Sequence, residues 1–464
     1  MPNLDRARKV AIIGLDCLAP QFVFEQWREE LPNLRHLMGR GSWGRLESTI
    51  PPITVPAWTA MMSGKDPGTL GFYGFRNRAD HSYDRLTIAN SKAVADDRAW
   101  DILSRAGKRV IVLGVPQTYP PQPVNGYLVS CFLTPSRESQ YTYPPELKDE
   151  IRSAIGDFML DVEDFRTEDK DHLLAEIYRM TEQRFQLARH LVQAKPWDFF
   201  IMVDMGPDRI HHGFWKYMDR QHPKYEPGNK HENAIREYYR FLDTQIGELL
   251  PSFDKDTIVM VVSDHGAHRM DGGICFNEWL IQEGYLILKQ YPSGVTPFNK
   301  VEVDWPRTKA WGDGGYYGRL FLNVQGREPQ GVIPAADYEW ARDELIAKLG
   351  AITDPKGQNI GTVAYKPEAI YRRVKGVPPD LIVYFGNLYW RSVGSVGYRQ
   401  YYTFENDTGP DDANHSQYGV FILYDPQRAG KGQLAGLHIT DVGPTVLDLF
   451  GLPVPADMEG KVIA

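Results

Sequence analysis

Cysteine is scarce in this chain. There are three in 464 residues, Cys17, Cys131 and Cys275, far apart in sequence. An odd count without close spacing does not make a disulfide framework, so a reducing compartment is expected. Long apolar runs are also missing. None reaches the roughly 18 residues of a membrane span. The opening "MPNLDRARKVAIIGLDC" has an apolar run too short for a signal peptide with its cleavage site. A cytoplasmic protein with no membrane partner is the expectation. A basic excess is lacking too: 52 Lys and Arg stand against 60 Asp and Glu, a net charge of −8. That argues against a nucleic-acid polymer as partner. An anionic substrate would need local positive charge, from metal ions or from a few Arg and Lys.

Apolar residues make up 42% of the chain, enough for a large core. A metal is therefore not needed to hold the fold, and any metal site is expected to be catalytic. Short β-branched runs alternate with long amphipathic ones. "VAIIGLD" (10–16), "RVIVLGVP" (109–116), "WDFFIMVD" (197–204) and "DTIVMVVSD" (256–264) read as strands buried on both faces. "LPNLRHLMGRGSWG", "HLLAEIYRMTEQRFQLARHLVQA", "HENAIREYYRFLDTQIGELL" and "ITDVGPTVLDLFGL" read as helices. Alternation of this kind predicts an α/β fold with a doubly wound, mostly parallel sheet. Residues 276–404 are richer in Pro, Gly, Tyr and Trp, and are expected to form a cap inserted into a single catalytic domain spanning 1–464.

Three of the strands end in carboxylates. "VAIIGLD" stops at Asp16, "FFIMVD" at Asp204 with Asp208 beyond it, and "IVMVVSDH" at Asp264 and His265. In an open parallel sheet, ligands bind at the carboxyl ends of the strands. Clustered carboxylates repel unless a cation neutralises them. Histidines among them shift the choice from calcium or magnesium toward zinc, manganese or iron. In "GPDRIHHGFW", Asp208 and His212 are four apart, one face of a helical turn. "DANHSQYG" adds a late histidine, His415, before the strand "GVFILYD". Taken singly, each Asp also reads as a helix cap and each His as a surface or loop residue.

"STIPPITVPAWTAMMSG" (48–64) is a proline-stiffened loop running into a helix, with Pro56 in the first turn and Gly64 at the stop. Thr54 falls just ahead of that helix, where free N–H groups and the helix dipole favour an anion. Beside a phosphate pocket and a metal ion its hydroxyl could become an attacking alkoxide. Thr49 and Thr59 are rival hydroxyls.

Together these stretches, with "FNEWLIQEGYL" and the closing "ITDVGPTVLDLFGLPVPADMEGK", resemble the alkaline phosphatase superfamily. More narrowly they resemble its type I phosphodiesterase/nucleotide pyrophosphatase branch, in order along nearly the whole chain. The resemblance implies two divalent ions about 4 Å apart, zinc foremost with manganese or iron as alternatives. It assigns Asp16, Thr54, Asp264 and His265 to one ion, and Asp208, His212 and His415 to the other. It implies that Thr54 attacks phosphorus in line to give a phosphothreonine, which water then hydrolyses. The implied substrate is a small phosphorylated molecule, a diester or pyrophosphate, and an oligomer remains open.

The sequence departs from the branch in the turn "DPGTLGFYG", which lacks the histidine often found there, and near the nucleophile. Ala57 stands where nucleotide pyrophosphatases often carry an asparagine. Asn77, beside Arg76 in "GFRNR", lies near the position of an asparagine that donates to a phosphate oxygen, so Asn77 and Arg76 are candidate substrate contacts. Sulfatase chemistry is disfavoured because "CFLTPSR" has its proline at the wrong offset. A phosphomonoesterase or phosphomutase of the same superfamily is the alternative, with Arg76, Arg78 and Lys216 as basic groups for a second phosphate. A noncatalytic metal- or partner-binding protein is the third reading, disfavoured by the hydroxyl among the ligands. The aromatic residues of 276–404, among them Trp305, Trp311, Tyr316, Tyr317 and Trp390, read first as cap core and second as a platform for a base or sugar.

Overall fold

The computed structural model describes residues 8–463. The first seven residues of the N-terminal stretch considered above, and both ends of the expected 1–464 domain, lie outside the described residues. In chain order, the elements that position the site are β1 (Val10–Leu15), β2 (Ser42–Glu47), α1 (Thr54–Ser63), β3 (Val110–Leu113) and α2 (Lys170–Ala194). Next come β4 (Phe199–Asp204), α3 (Gly206–Met218), α4 (Ala234–Leu249), β5 (Ile258–Val262) and β6 (Gly266–Arg269). Last are β7 (Ala413–Ser416) and β8 (Tyr418–Tyr424).

A ten-stranded sheet runs in the order β2–β8–β5–β1–β4–β3, continued by short strands at both edges. β1 pairs in parallel with β4 and β5, and β3 with β4. β8 runs antiparallel between β5 and β2. The sheet is thus mostly parallel, the α/β class expected from the alternation of strands and helices. Every residue of β1 is buried, because helices cover both faces of a central parallel strand. α2, α3 and α4 pack on one another, while α1 packs with the helices Ala99–Arg105 and Val442–Leu449.

Register brings three strand ends to one level. Leu15 lies opposite Asp204, and Gly14 opposite Val262. The turns after β1, β4 and β5 therefore open on the same edge of the sheet, where the topology places a ligand. Two local expectations needed revision. The helix read from "LPNLRHLMGRGSWG" ends at Arg40, and Ser42 already begins β2. Gly44 and Arg45 interrupt the apolar alternation by which a strand would announce itself. His415 does not sit in a loop: it belongs to β7, which pairs antiparallel with β6, Ala267 opposite His415.

A second hydrophobic cluster, between Ile274 and Trp390, surrounds a four-stranded antiparallel sheet. Its strands lie in the order Ala310–Asp313, Gly318–Leu322, Leu381–Tyr384, Val363–Tyr365. Among the described residues no helix is long and apolar enough to cross a membrane.

Candidate active site

Asp16 directly follows β1, and Asp264 and His265 follow β5, so their side chains enter one space above the sheet edge. Asp208 and His212 stand one turn apart on α3 and face the same space. The β6–β7 pairing delivers His415 beside His265: their rings stack with centroids 3.8 Å apart. The result is two adjoining triads, Asp16–Asp264–His265 and Asp208–His212–His415, in each of which the donor atoms lie within 4.8 Å of one another. All six side chains are buried.

The donor atoms point inward. His265 Nε2 lies 3.2 Å from Asp264 Oδ2 and 3.8 Å from Asp16 Oδ1. His212 Nε2 lies 3.2 Å from Asp208 Oδ1 and 3.3 Å from His415 Nε2. The outer nitrogens are occupied: His265 Nδ1 by the Gly266 carbonyl at 3.1 Å and His415 Nδ1 by the Pro52 carbonyl at 2.7 Å. That bonding leaves Nε2 with its lone pair directed inward, as a metal ligand requires. Asp16 Oδ2 accepts the Trp58 indole N–H at 2.7 Å, and Asp264 Oδ1 accepts the Cys17 amide at 3.1 Å. The other oxygens, Asp16 Oδ1 and Asp264 Oδ2, are buried without a hydrogen-bond partner. Unpaired buried carboxylate oxygens are costly, and a cation would satisfy them. The residues therefore fit divalent ions with mixed nitrogen and oxygen ligation.

Electrostatics follow from the same crowding. Burial pushes the Asp16 and Asp264 carboxyls well above the usual carboxylate range, and repulsion from Asp208 on Asp16, and from Asp16 on Asp264, adds to it. Burial pushes Asp208 the same way, but His212 and Arg209 beside it outweigh burial and hold it well below that range. Burial drops His265 to about 4. It also holds His415 well below its ordinary value, helped by the neighbouring His265 and His212. Both are thus neutral imidazoles at neutral pH.

Thr54 is the first residue of α1 rather than the residue ahead of it, a shift of one position at a helix end. No side chain caps that helix start. The Thr54 hydroxyl lies 3.3 Å from His265 Nε2, at the mouth of the first triad. The rival hydroxyls are engaged elsewhere: Thr49 donates to the Pro51 carbonyl at 2.6 Å, and Thr59 to Gln117.

Most of the remaining sequence candidates make their contacts elsewhere. Asp204 does not join the triads. Its Oδ2 accepts from Thr181 at 2.9 Å, Tyr238 at 3.2 Å and the Gly206 amide at 3.3 Å, tying down the start of α3. Asn77 uses its amide on backbone, accepting from Tyr73 N at 2.8 Å and donating to the Gly74 carbonyl at 3.1 Å. The turn so braced receives the Tyr317 hydroxyl on the Tyr73 carbonyl. Arg76 is exposed. Trp311, Tyr317 and Trp390 are core residues, and Trp305 stacks on Tyr83 at 3.6 Å. Tyr316 stacks on the site itself, 4.2 Å from the His415 ring and 4.8 Å from the His212 ring.

Three participants escaped the sequence reading. Trp58 is a fully buried core residue that also donates to Asp16. Arg209 contacts Asp208 and grips Asp161 at 2.9 and 2.7 Å. Asp411 accepts from His212 Nδ1 at 2.7 Å. The one signal available for Trp58 was its place four residues after Thr54, on the same helix face. For Asp411 it was an acid four residues before His415.

Comparison with known proteins adds the following. The sequence matches the family model described as type I phosphodiesterase / nucleotide pyrophosphatase over residues 10–411. A 2,3-bisphosphoglycerate-independent phosphoglycerate mutase of Rhodopirellula baltica is 41% identical over 56 residues, 12% of this chain and 10% of that protein. The chain thus matches a tenth of that curated relative's length. Among solved structures, human ectonucleotide pyrophosphatase / phosphodiesterase 5 aligns with a TM-score of 0.54 at 14% identity, covering 98% of this chain and 97% of that one. The murine protein, in an inactive threonine-to-alanine form in complex with AMP, aligns with a TM-score of 0.54 at 14% identity over 97% and 96% of the two chains. Phosphonoacetate hydrolase from Sinorhizobium meliloti, in complex with phosphonoformate, aligns with a TM-score of 0.60 at 15% identity over 96% of each chain. At these identities the structural likeness speaks for the fold.

Proposed function

The chain belongs to the type I phosphodiesterase / nucleotide pyrophosphatase family, and from that premise we propose that it is a metal-dependent hydrolase of phosphate diesters or pyrophosphates with Thr54 as nucleophile. One observation carries the reading: two buried acid–imidazole triads share a wall, and the Thr54 hydroxyl stands 3.3 Å from an imidazole of one of them. Asp16, Asp264 and His265, with Thr54, are the proposed ligands of one ion, and Asp208, His212 and His415 of the other. The donor set favours zinc, with manganese or iron as alternatives. Bound there, such ions supply Lewis acidity toward phosphoryl oxygens and toward the threonine hydroxyl.

The chain's own residues do the rest. Asp16 and Asp264 each keep one oxygen fixed by a protein donor and one free, so their orientation is set before any substrate arrives. His265 and His415 are held neutral and with Nε2 inward. The start of α1 carries no side-chain cap, which leaves its first N–H groups for an oxyanion beside Thr54. Thr54 forms the bond to phosphorus, the leaving oxygen departs on the opposite side, and water later displaces the threonine oxygen. The murine neighbour's inactive threonine-to-alanine form supports a threonine in that role. Its AMP supports a nucleotide-type substrate.

Residues 276–404 form the proposed cap: from this part Tyr316 stacks on the imidazoles of His212 and His415, and Arg391 donates to Asp411 behind His212. Asn77, with Arg76 beside it, is proposed to act on the substrate side through the turn that seats Tyr317. Three buried, unpaired cysteines support a reducing, cytoplasmic location.

The test is elemental analysis of the purified protein together with a paired assay of a phosphodiester and a phosphomonoester. About two transition-metal ions per chain and a preference for the diester are expected. No bound metal, with turnover indifferent to EDTA, would overturn the metal reading. A monoester preference of about 100-fold, equivalent to about 2.7 kcal/mol, would favour the phosphomonoesterase or phosphomutase instead.

A further inference from the structure

We propose that Asp411 is a positioning residue that fixes the ring of His212 and thereby sets the affinity of one cation site without setting that of its neighbour. This rests on the reading that Asp208, His212 and His415 hold an ion. The three inward-facing imidazoles are not supported alike. His265 and His415 rest their Nδ1 atoms on backbone carbonyls, at 3.1 and 2.7 Å. His212 alone rests on a carboxylate, Asp411 Oδ1, at 2.7 Å. A carboxylate behind a ligating imidazole fixes its tautomer and makes its far nitrogen a stronger donor than a carbonyl does.

The carboxylate is itself immobilised. Asp411 has no exposed side-chain surface. Its second oxygen accepts from Arg391 at 3.0 Å, from Arg166 at 3.2 and 3.3 Å, and from the Tyr316 hydroxyl at 3.3 Å. With Tyr316 stacked on His212, the ring is fixed in plane by Asp411 and across its face by the phenol. The first-sphere charges differ in a complementary way. The triad at Asp16 brings two carboxylates, whereas the triad at Asp208 brings one. Asp411 adds a carboxylate behind the poorer site.

Cobalt(II) titration with a competing chelator, read by the visible absorption of the bound ion, tests this on the full chain. Wild-type protein is expected to bind two ions. Asp411→Ala is expected to weaken one of them by about 10–100-fold and leave the other unchanged. Asp411→Asn, which keeps an acceptor oxygen for His212 but loses the charge and turns an amide donor toward Arg391 and Arg166, should lie between. Asp411→Glu should restore part of the loss. Two unchanged affinities in Asp411→Ala, or an equal loss at both sites, would overturn the proposal, since a merely structural role would not single out one ion. If Asp411→Ala does not fold, the same comparison made with Asp411→Asn decides. Wild-type protein that binds no cobalt would instead defeat the metal reading from which the proposal starts.

Discussion

The two oxygens of Asp16 live in different surroundings: one is bound by an indole and the other faces its neighbours unpaired. Trp58 thus has two functions, filling the core under β1 and aiming a carboxylate. Trp58→Phe keeps most of the volume but strips a buried acceptor of its donor. It should cost about 1–3 kcal/mol in urea unfolding, and an unchanged midpoint would show that the hydrogen bond contributes nothing. Thr54 makes a sharper prediction because its neighbours Thr49 and Thr59 are engaged elsewhere. Thr54→Ala should drop turnover of bis-p-nitrophenyl phosphate to background while Thr54→Ser retains a measurable part. Near-normal turnover in Thr54→Ala would remove it from the nucleophile's place. At this scale the sequence disclosed residue types. It did not disclose which atom of each type would be left unpaired.

α3 carries Asp208 and His212, and its start is fixed by a buried polar network rather than by a capping side chain. Gly206 is the first residue of this helix. A Cβ built there would lie 1.9 Å from the Tyr238 hydroxyl and 2.3 Å from Thr181 Oγ1. These are the donors to Asp204, so a methyl group must break the network that seats the helix. Gly206→Ala should therefore cost about 1–3 kcal/mol in chemical denaturation and weaken metal retention together, because the helix cannot shift without moving two ligands. Retained stability and full metal content would show that the helix start tolerates displacement. The spacing of Asp208 and His212 was legible in the sequence because helical period places residues four apart on one face. The role of Asp204 was not. A strand-end acid looks the same in sequence whether it faces a ligand or braces the next helix.

Across the whole molecule, several buried carboxylates converge with fewer cations than they need. Metal-free protein should accordingly be less stable than loaded protein. Free zinc at about 100 times its dissociation constant should add about 2.7 kcal/mol, read as a rise in Tm after EDTA-treated protein is reloaded. An identical Tm with and without metal would count against ion binding at these triads. The sheet that makes the convergence was largely predictable. Unbroken apolar runs such as "VAIIGL" and "IVMVV" are the pattern of strands covered on both faces, as in a parallel α/β sheet, and parallel neighbours end on one edge. β2 and β7 were not predictable, since short strands are stabilised by partners distant in the chain rather than by their own pattern. What the sequence determined alone was therefore local: which segments are strands or helices, and which residue types stand where they end. Tertiary structure decided what touches what. His212 meets Asp411 across 199 positions, and Asp16 meets Trp58 across 42. No periodicity reaches that far. Those contacts are fixed by strand register and helix packing, which give Asp16 and Asp264 one protein donor each and leave the second oxygen of each unpaired.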